Sequence, residues 1–279
     1  MVITIIGVGL IGGSFALSLR KNNIAHRIIG VDHNEEHGKT AIERGIVDEM
    51  LPLDEAIEQS EMIVLSTPVD TIPLLAIKVL NKVTSQVVID MGSTKGELSE
   101  IIDCHPRRAR FVLTHPMWGT ENSGPESAVS TGFSGRVLVI CDKHRSDEDA
   151  VNLVEGIYTK LDMPIKYMAA EDHDVHAAYI SHISHVTSFA LALTVLDKER
   201  EEDRIFDLAG AGFESTVRLA KSSYTMWSPI FMQNRFNVLD VLREHIHQLQ
   251  IIKKVLEKGD RTELEELIKK ANTIRRILK

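Results

Sequence analysis

Short runs of aliphatic and β-branched residues recur through the first part of the chain, at residues 2–6, 27–31, 62–66, 87–90, 111–114 and 137–141. Helix-forming stretches separate them, and runs that alternate with helices in this way predict a parallel sheet covered by helices. Near residues 162–170 the character changes. From Glu171 onward the chain is helix-forming almost to its end and carries no strand-like run. A long helix with little punctuation is predicted over 171–200, and amphipathic helices over 226–256 and 262–278. Gly259 and Asp260 separate the last two, the glycine ending one helix and the residues after it starting the next. No internal repeat or low-complexity segment interrupts this order. The pattern predicts an α/β domain over residues 1–166 followed by an all-helical domain over 167–279.

With 279 residues, 43% of them hydrophobic and 26% charged, the chain has a globular composition and the length for two domains of ordinary size. Its net charge of −8 argues against wholesale nucleic-acid binding. Cys104 and Cys141 lie far apart and form neither a disulfide framework nor a metal-ligand spacing, which fits a reducing, cytoplasmic location. No apolar run reads as long enough to span a bilayer, so no membrane partner is expected. The opening MVITIIGVGLIGG lacks a charged leader and is cut by glycines, so it reads as strand and turn rather than signal peptide.

That opening also carries the firmest chemistry. Gly7, Gly9 and Gly12 form G-x-G-x-x-G directly after a predicted strand and at the start of a helix. Gly7 permits the tight turn, Gly9 lets a pyrophosphate approach the backbone, and Gly12 lets helix and strand pack closely. The helix start at Leu10 and Ile11 offers free N–H groups to phosphate oxygens. The second run ends in Asp32, about 20 residues beyond the last glycine, where a carboxylate accepts from the ribose hydroxyls of NAD and repels the extra phosphate of NADP. His33 follows it and softens that repulsion. A Rossmann-type dinucleotide domain with NAD as cofactor is therefore expected.

In such sheets ligands sit beyond the carboxyl ends of the strands. The third run ends in Ser66-Thr67-Pro68, the fourth in Asp90-Met91-Gly92-Ser93-Thr94-Lys95 and the fifth in His115, within VLTHPMWGT. Helix caps are an alternative for Asp70, Ser93 and Thr94, and turn formation accounts for Ser66 and Thr67 as well as cofactor contact does. His115 caps nothing, and a turn needs the proline and glycine that follow but not the histidine. Beside a nicotinamide, a neutral imidazole accepts the proton of a hydroxyl whose carbon loses hydride, and Ser93 orients the imidazole or the hydroxyl.

The segment EDHDVHAAYISHISHVTSFALAL holds His173, His176, His182 and His185. At about 100° per residue the first pair points nearly opposite to the second, so one regular helix cannot gather all four and no metal site is expected. His185 shares a face with Ala178, Ser181, Ser188 and Ala192, a polar stripe among small residues that suits a pocket wall; the other three serve equally as surface or interhelical residues. In GAGFESTVRLAKSSYTMW, Gly210-Ala211-Gly212 predicts a close backbone approach, and a short helix then presents Arg218 and Lys221. An arginine there can clamp a carboxylate bidentately, although without context it is a solvated helix charge, and Trp227 reads equally as core.

Taken together, GVGLIGGS, STPVD, DMGSTK, HPMWGTENSG, SHISH and RLAKSSYTMW resemble the prephenate dehydrogenase family, which includes arogenate and cyclohexadienyl dehydrogenases, over essentially the whole chain. The resemblance implies NAD-dependent oxidative decarboxylation of prephenate to 4-hydroxyphenylpyruvate in tyrosine biosynthesis, or the matching reaction of arogenate. It assigns His115 to the hydroxyl being oxidised, with Ser93 in support and Thr120 in the same pocket loop. It assigns His185 to the substrate side chain, Ser181 to the neighbourhood of the nicotinamide and Arg218 to a substrate carboxylate. Trp227 is implied to reach the pocket from the partner subunit of an interlocked homodimer formed through the helical domain. The chain departs from the family's pattern at several points. Ile183-Ser184 replaces a proline-containing pair, which predicts a straighter helix; Ala211 interrupts a glycine triplet; Tyr224-Thr225 replaces an Asp-Pro; and Trp118 stands where a small residue is usual, which predicts a reshaped pocket. The pattern opens on the first strand and closes on the last helix, so no appended module is expected. Two other readings stand beside this one. A β-hydroxyacid dehydrogenase would use Lys221 as acid or base, and a non-catalytic NAD sensor would leave His115, Ser93 and Arg218 without work.

Overall fold

The computed structural model describes residues 1–200 and 204–277. Leu278, where the last predicted helix was expected to end, lies outside the described residues. Packing divides the chain into two compact units, Met1–Asn234 and Arg235–Lys279.

The first unit is built on eight strands, β1 (Val2–Ile6), β2 (Arg27–Val31), β3 (Glu49–Met50), β4 (Met62–Leu65), β5 (Val87–Asp90), β6 (Phe111–Pro116), β7 (Leu138–Cys141) and β8 (Ile165–Met168). Their order across the sheet is β3-β2-β1-β4-β5-β6-β7-β8, so the direction of winding reverses between β1 and β4. Helices α1 (Leu10–Lys21), α2 (Glu35–Glu43), α3 (Leu53–Glu58), α4 (Ile72–Leu80), α5 (Gly96–Ile102) and α6 (Glu148–Lys160) alternate with the strands. The strand runs are apolar without interruption because both faces are covered. Ile3, Ile5, Met62, Val64, Val87, Ile89 and Val112 feed one core. Their neighbours Ile6, Ile63, Leu65, Val88, Phe111 and Leu113 feed the other. Shifting a strand by one residue would exchange the two sets.

Three features depart from the expected parallel sheet. The short edge strands β3 and β8 were not foreseen, since two residues in one and a half-exposed IKYM in the other leave little hydrophobic signal. Strand β6 pairs parallel with β5 at Phe111 and Val112 but antiparallel with β7 from Leu113 to Pro116. The connection over residues 117–137 contains only the short 3-10 turn Pro125–Ser127 and no crossover helix, so the chain returns in the opposite sense. Finally, β6 continues two residues past the expected end, so His115 is a strand residue registered opposite Val139, not a loop residue.

Beyond β8 the chain is helical, beginning with α7 (Ala170–Ala177) and α8 (Ile183–Glu199). These two are one continuous helix whose pitch widens to a π turn over Ala178–His182. Nine regular steps of about 100° would set His173 and His182 on opposite sides. The wider turn removes rotation from that sum, and both rings are buried. Ala170–Glu199 also overturns the reading that no apolar run has bilayer length: by length and mean hydropathy, 1.3 over its most apolar window, it could span one, and only 17% of that window is buried. Val175, Ile180, Leu193 and Leu196 are exposed on it.

Next come α9 (Ala211–Val217) and α10 (Tyr224–Gln233). The single helix expected over 226–256 is broken at Asn234, whose buried side-chain amide donates to the Asp174 carbonyl at 2.7 Å instead of facing solvent. The second unit consists of α11 (Arg235–Lys258), α12 (Arg261–Ala271) and a terminal 3-10 turn, Asn272–Arg276. Gly259 turns the chain in the left-handed region at φ +66°, and the Asp260 carboxylate accepts from the Glu263 N–H at 2.9 Å to start α12.

Candidate active site

The winding reversal brings the ends of β1 and β4 together. Gly7 sits at φ +94°, and a Cβ there would come within 2.5 Å of the Ser66 carbonyl oxygen; at Gly12 a Cβ would strike the Gly7 carbonyl. Gly9 is different. A Cβ on it would meet no protein atom within 4 Å, so internal packing does not require glycine there. The helix that follows, with Leu10 and Ile11 in its first turn, has no side-chain cap. Ser66 Oγ is buried beside this loop and has no hydrogen-bond partner among the described residues. An uncapped helix start, an unneeded glycine and an unpartnered hydroxyl together suit an anionic ligand. Thr67 and Pro68 are engaged differently, both accepting from the Thr71 hydroxyl in the turn that leads into α4.

Asp32 ends β2 with its side chain almost buried. It accepts from Val8 N–H at 3.0 Å and Asn34 N–H at 2.9 Å, which ties the glycine loop to the next strand end. Each carboxylate oxygen keeps a lone pair for a further donor. His33 and His37 approach the same carboxylate, at 3.5 and 3.8 Å.

Two strands along, the β5 end is held by a buried ion pair. Lys95 Nζ and Asp90 Oδ2 are bonded with both side chains fully enclosed, and Asp90 also accepts from Gly92 N–H (2.9 Å) and Thr114 N–H (3.1 Å). A buried carboxylate needs its charge compensated, and Asp90 meets both a cation and two backbone donors here. The pair fastens the loop carrying Ser93 to the strand carrying His115. The capping alternatives do not materialise: α5 is preceded by Lys95 and α4 by Thr71, and Thr94 Oγ1 donates to Gln233 Oε1 at 2.6 Å.

His115 Nδ1 lies 2.8 Å from Nε2 of His173, with the ring planes at 68°. His173 Nδ1 in turn lies 2.8 Å from Asp174 Oδ1. Burial holds the His115 imidazole well below the usual range near 6.5, with His173, Lys95 and His182 acting in the same direction. Sequence reasoning had left His173 unassigned and had not considered Asp174. The signal was a His-Asp pair opening a helix, without the fold to say which face meets β6.

The other histidines scatter. His176 is exposed on α7, while His182 is buried with Nδ1 3.1 Å from Asn234 Nδ2. His185 donates from Nδ1 to the Ser181 carbonyl at 3.0 Å and stacks on Trp227, ring centroids 3.4 Å apart. The resemblance implied that Trp227 serves a partner's pocket; here it is buried within its own chain, against His185, Val69 and Ile230. Ser188, one turn beyond His185, has a buried hydroxyl with no partner among the described residues.

Arg218 lies in a 3-10 turn after α9, with 53% of its side chain exposed, and donates to Glu121 Oε2 at 2.9 Å. Glu121 was missed, although it follows Thr120, whose hydroxyl accepts from Asn122 N–H at 3.3 Å. The Trp118 indole is turned toward the α/β core, where it covers Gly132 and lies 5.1 Å from the Phe133 ring. Nor do Gly210 and Gly212 meet a close neighbour: a Cβ on either reaches no atom within 4 Å.

Burial lowers His182 to about 4. An imidazole that binds its proton less tightly when folded takes up protons on unfolding, so its contribution to stability is full above about pH 6.5 and drains away as pH falls toward 4. Thermal unfolding scans at pH 7.5, 6, 5 and 4.5 should give a falling Tm over that interval, with a shallower fall in His182→Gln.

Comparison with known proteins matches this arrangement to one family. The model for the nucleotide-binding domain of prephenate dehydrogenase matches residues 15–166, and that for its dimerization domain matches residues 169–270. The chain is 29% identical over 277 residues to a prephenate dehydrogenase of Bacillus subtilis, covering 98% of this chain and 75% of that one. It is 25% identical over 280 residues to a cyclohexadienyl dehydrogenase of Zymomonas mobilis, covering 99% and 96%. Among solved structures, the prephenate dehydrogenase of Aquifex aeolicus in complex with hydroxyphenyl propionate and NAD+ superposes with a TM-score of 0.92 at 31% identity, covering 100% of this chain and 98% of that one. An arogenate dehydrogenase of Synechocystis superposes at 0.78 with 25% identity, covering 99% of each.

Proposed function

Because the chain belongs to the prephenate dehydrogenase family, we propose that it is an NAD-dependent dehydrogenase that oxidatively decarboxylates prephenate to 4-hydroxyphenylpyruvate, a step in the making of tyrosine. The observation that carries this reading is His115, fixed within β6 one strand away from the Ser93 loop, its imidazole kept uncharged by burial. A neutral imidazole at the end of a nucleotide-binding sheet is the group that oxidation of a ring carbinol needs.

The dinucleotide fits the residues present. Gly7, Gly9 and Gly12 with the Leu10 and Ile11 amides would hold its pyrophosphate, Ser66 would partner it with the unused hydroxyl, Thr67 and Pro68 would border it, and Asp32 would accept from the adenosine ribose. When bound, NAD supplies the acceptor for hydride. The remaining work falls to the chain. Arg218 binds a substrate carboxylate, with Thr120, Ser181, His185 and Trp227 around the side chain. Ser93 hydrogen-bonds the ring hydroxyl and His115 takes its proton. As the carbinol C–H pair leaves as hydride, the bond to the ring carboxylate breaks, its electrons complete the aromatic ring, carbon dioxide departs and the phenolate oxygen regains its proton from His115. Aromatisation drives the step, so the protein supplies mainly orientation and charge placement.

Initial rates with NAD and NADP, each with prephenate and with arogenate, test the reading. Turnover of prephenate with NAD supports it. Turnover of arogenate alone transfers the assignment to that substrate, and turnover of neither removes it. The second matched family segment is described as a dimerization domain and includes the little-buried apolar helix Ala170–Glu199, so we also propose a homodimer through the helical half. Light scattering should return twice the chain mass; a monomer at micromolar concentration would overturn it.

A further inference from the structure

We propose that His173 and Asp174 are positioning residues that set the tautomer of His115, so that its Nε2 is the nitrogen left free to accept the substrate's proton. The inference rests on the functional reading of His115 given above, and it follows from donor and acceptor arithmetic along one chain of contacts.

A carboxylate only accepts, so the His173 Nδ1 that lies 2.8 Å from Asp174 Oδ1 carries a hydrogen. With one hydrogen on its ring, His173 then offers a lone pair at Nε2. His115 Nδ1, 2.8 Å away, must be the donor of that pair, and its own Nε2 is left bare. The opposite sense needs hydrogens on both nitrogens of His173 and puts the His115 hydrogen on Nε2, where it could not take up a proton. A second cation would then be buried close to Lys95, in surroundings that already disfavour charge on His115 and His182.

The far end of the relay is anchored to backbone. Asp174 Oδ1 also accepts from Lys95 N–H and Oδ2 from Gly96 N–H, both at 2.8 Å, and the Asp174 carbonyl accepts from Asn234. The carboxylate therefore sits on the amides that open α5, in the loop that carries Ser93. One side chain thus orients the imidazole through His173 and ties down the loop of the second hydroxyl-binding group. When His115 gains its proton at Nε2, its Nδ1–H stays on His173, and the new positive charge faces Asp174 through one ring. No proton has to travel further. The charged and titratable groups around the pair are Lys95, Asp90, Asp174 and His182.

The test compares His173→Phe, His173→Gln and Asp174→Asn with the parent enzyme, using NAD and prephenate across pH 4.5–8.5. His173→Phe should lower kcat on the order of 50-fold, with the KM for prephenate and the NAD affinity within about threefold. Its acidic limb should move to lower pH, because the imidazolium at His115 loses the support of Asp174. His173→Gln keeps an acceptor oxygen and should regain most of that kcat. Asp174→Asn should shift the limb in the same direction as His173→Phe. A purely structural role would lower Tm, leave the limb unmoved and treat Phe and Gln alike. A kcat within twofold of the parent in His173→Phe, or an unmoved limb, overturns the proposal. Histidine 15N spectra of the parent protein decide the tautomer without substrate: hydrogen on His115 Nδ1 is expected, and hydrogen on Nε2 refutes the relay. If the parent turns over neither prephenate nor arogenate, the functional reading falls, and these spectra still judge the relay separately.

Discussion

Replacing His115 with asparagine should lower kcat for prephenate oxidation by about 10³–10⁴-fold while NAD binds as before. Asparagine fills similar space and can still hydrogen-bond a hydroxyl, but it cannot take up a proton. His115 belongs to the ladder of β6 with β7, opposite Val139, so the substitution leaves the backbone pinned and removes only the base. The pH dependence of the parent enzyme is part of the same expectation. A base must be unprotonated to act, and burial with neighbouring His173, Lys95 and His182 draws this imidazole well below its ordinary value. The rate should therefore hold as pH falls through 6.5 and break only below it. A kcat within tenfold of the parent in His115→Asn would remove the residue from the chemistry. An acidic limb above pH 6.5 would contradict the buried, uncharged imidazole.

Arg218→Gln is expected to act on the other kinetic constant. A guanidinium fork that binds a carboxylate through two charge-assisted bonds contributes on the order of 3 kcal/mol, so its loss should raise KM for prephenate a hundredfold or more and change kcat less than tenfold. Two features bound the size of the effect. Arg218 is 53% exposed, so water competes for it, and Glu121 Oε2 already accepts from it at 2.9 Å and must yield to the incoming carboxylate. Arg218→Lys keeps the charge but not the planar fork, and should recover only part of the loss. Full kinetics on the three proteins test this. A loss carried by kcat with KM unchanged would show that Arg218 acts on the reaction rather than on binding.

Much of the site is legible in the chain because its parts are local. Gly7, Gly9 and Gly12 are spaced by the geometry of one strand–turn–helix, and Asp32 by the length of one βαβ unit. His115 stood out because the apolar run before it ends in a residue that no turn requires. The π turn at Ala178–His182 escaped, since a regular helix was assumed, and with it the burial of His182 on the side of His173. Trp118 was legible as unusual but not as to direction, because only its packing on Phe133 settles where the indole goes.

The sequence by itself determined the dinucleotide fold, the order of sheet and helices, and the identity of the strand-end residues. Each of these follows from periodicity or spacing within a few tens of residues. The tertiary structure decided what those residues meet. The reversal of β7 against β6 made His115 a strand residue, the widened helix turned His182 inward, and α7 brought the adjacent His173 and Asp174 to bear on β6 and on the start of α5. The two His-ring contacts that matter most join residues 58 positions apart and residues one position apart. Periodicity records which side of a helix is apolar, but not which strand that side packs on, so a contact across 58 residues leaves no trace in local spacing.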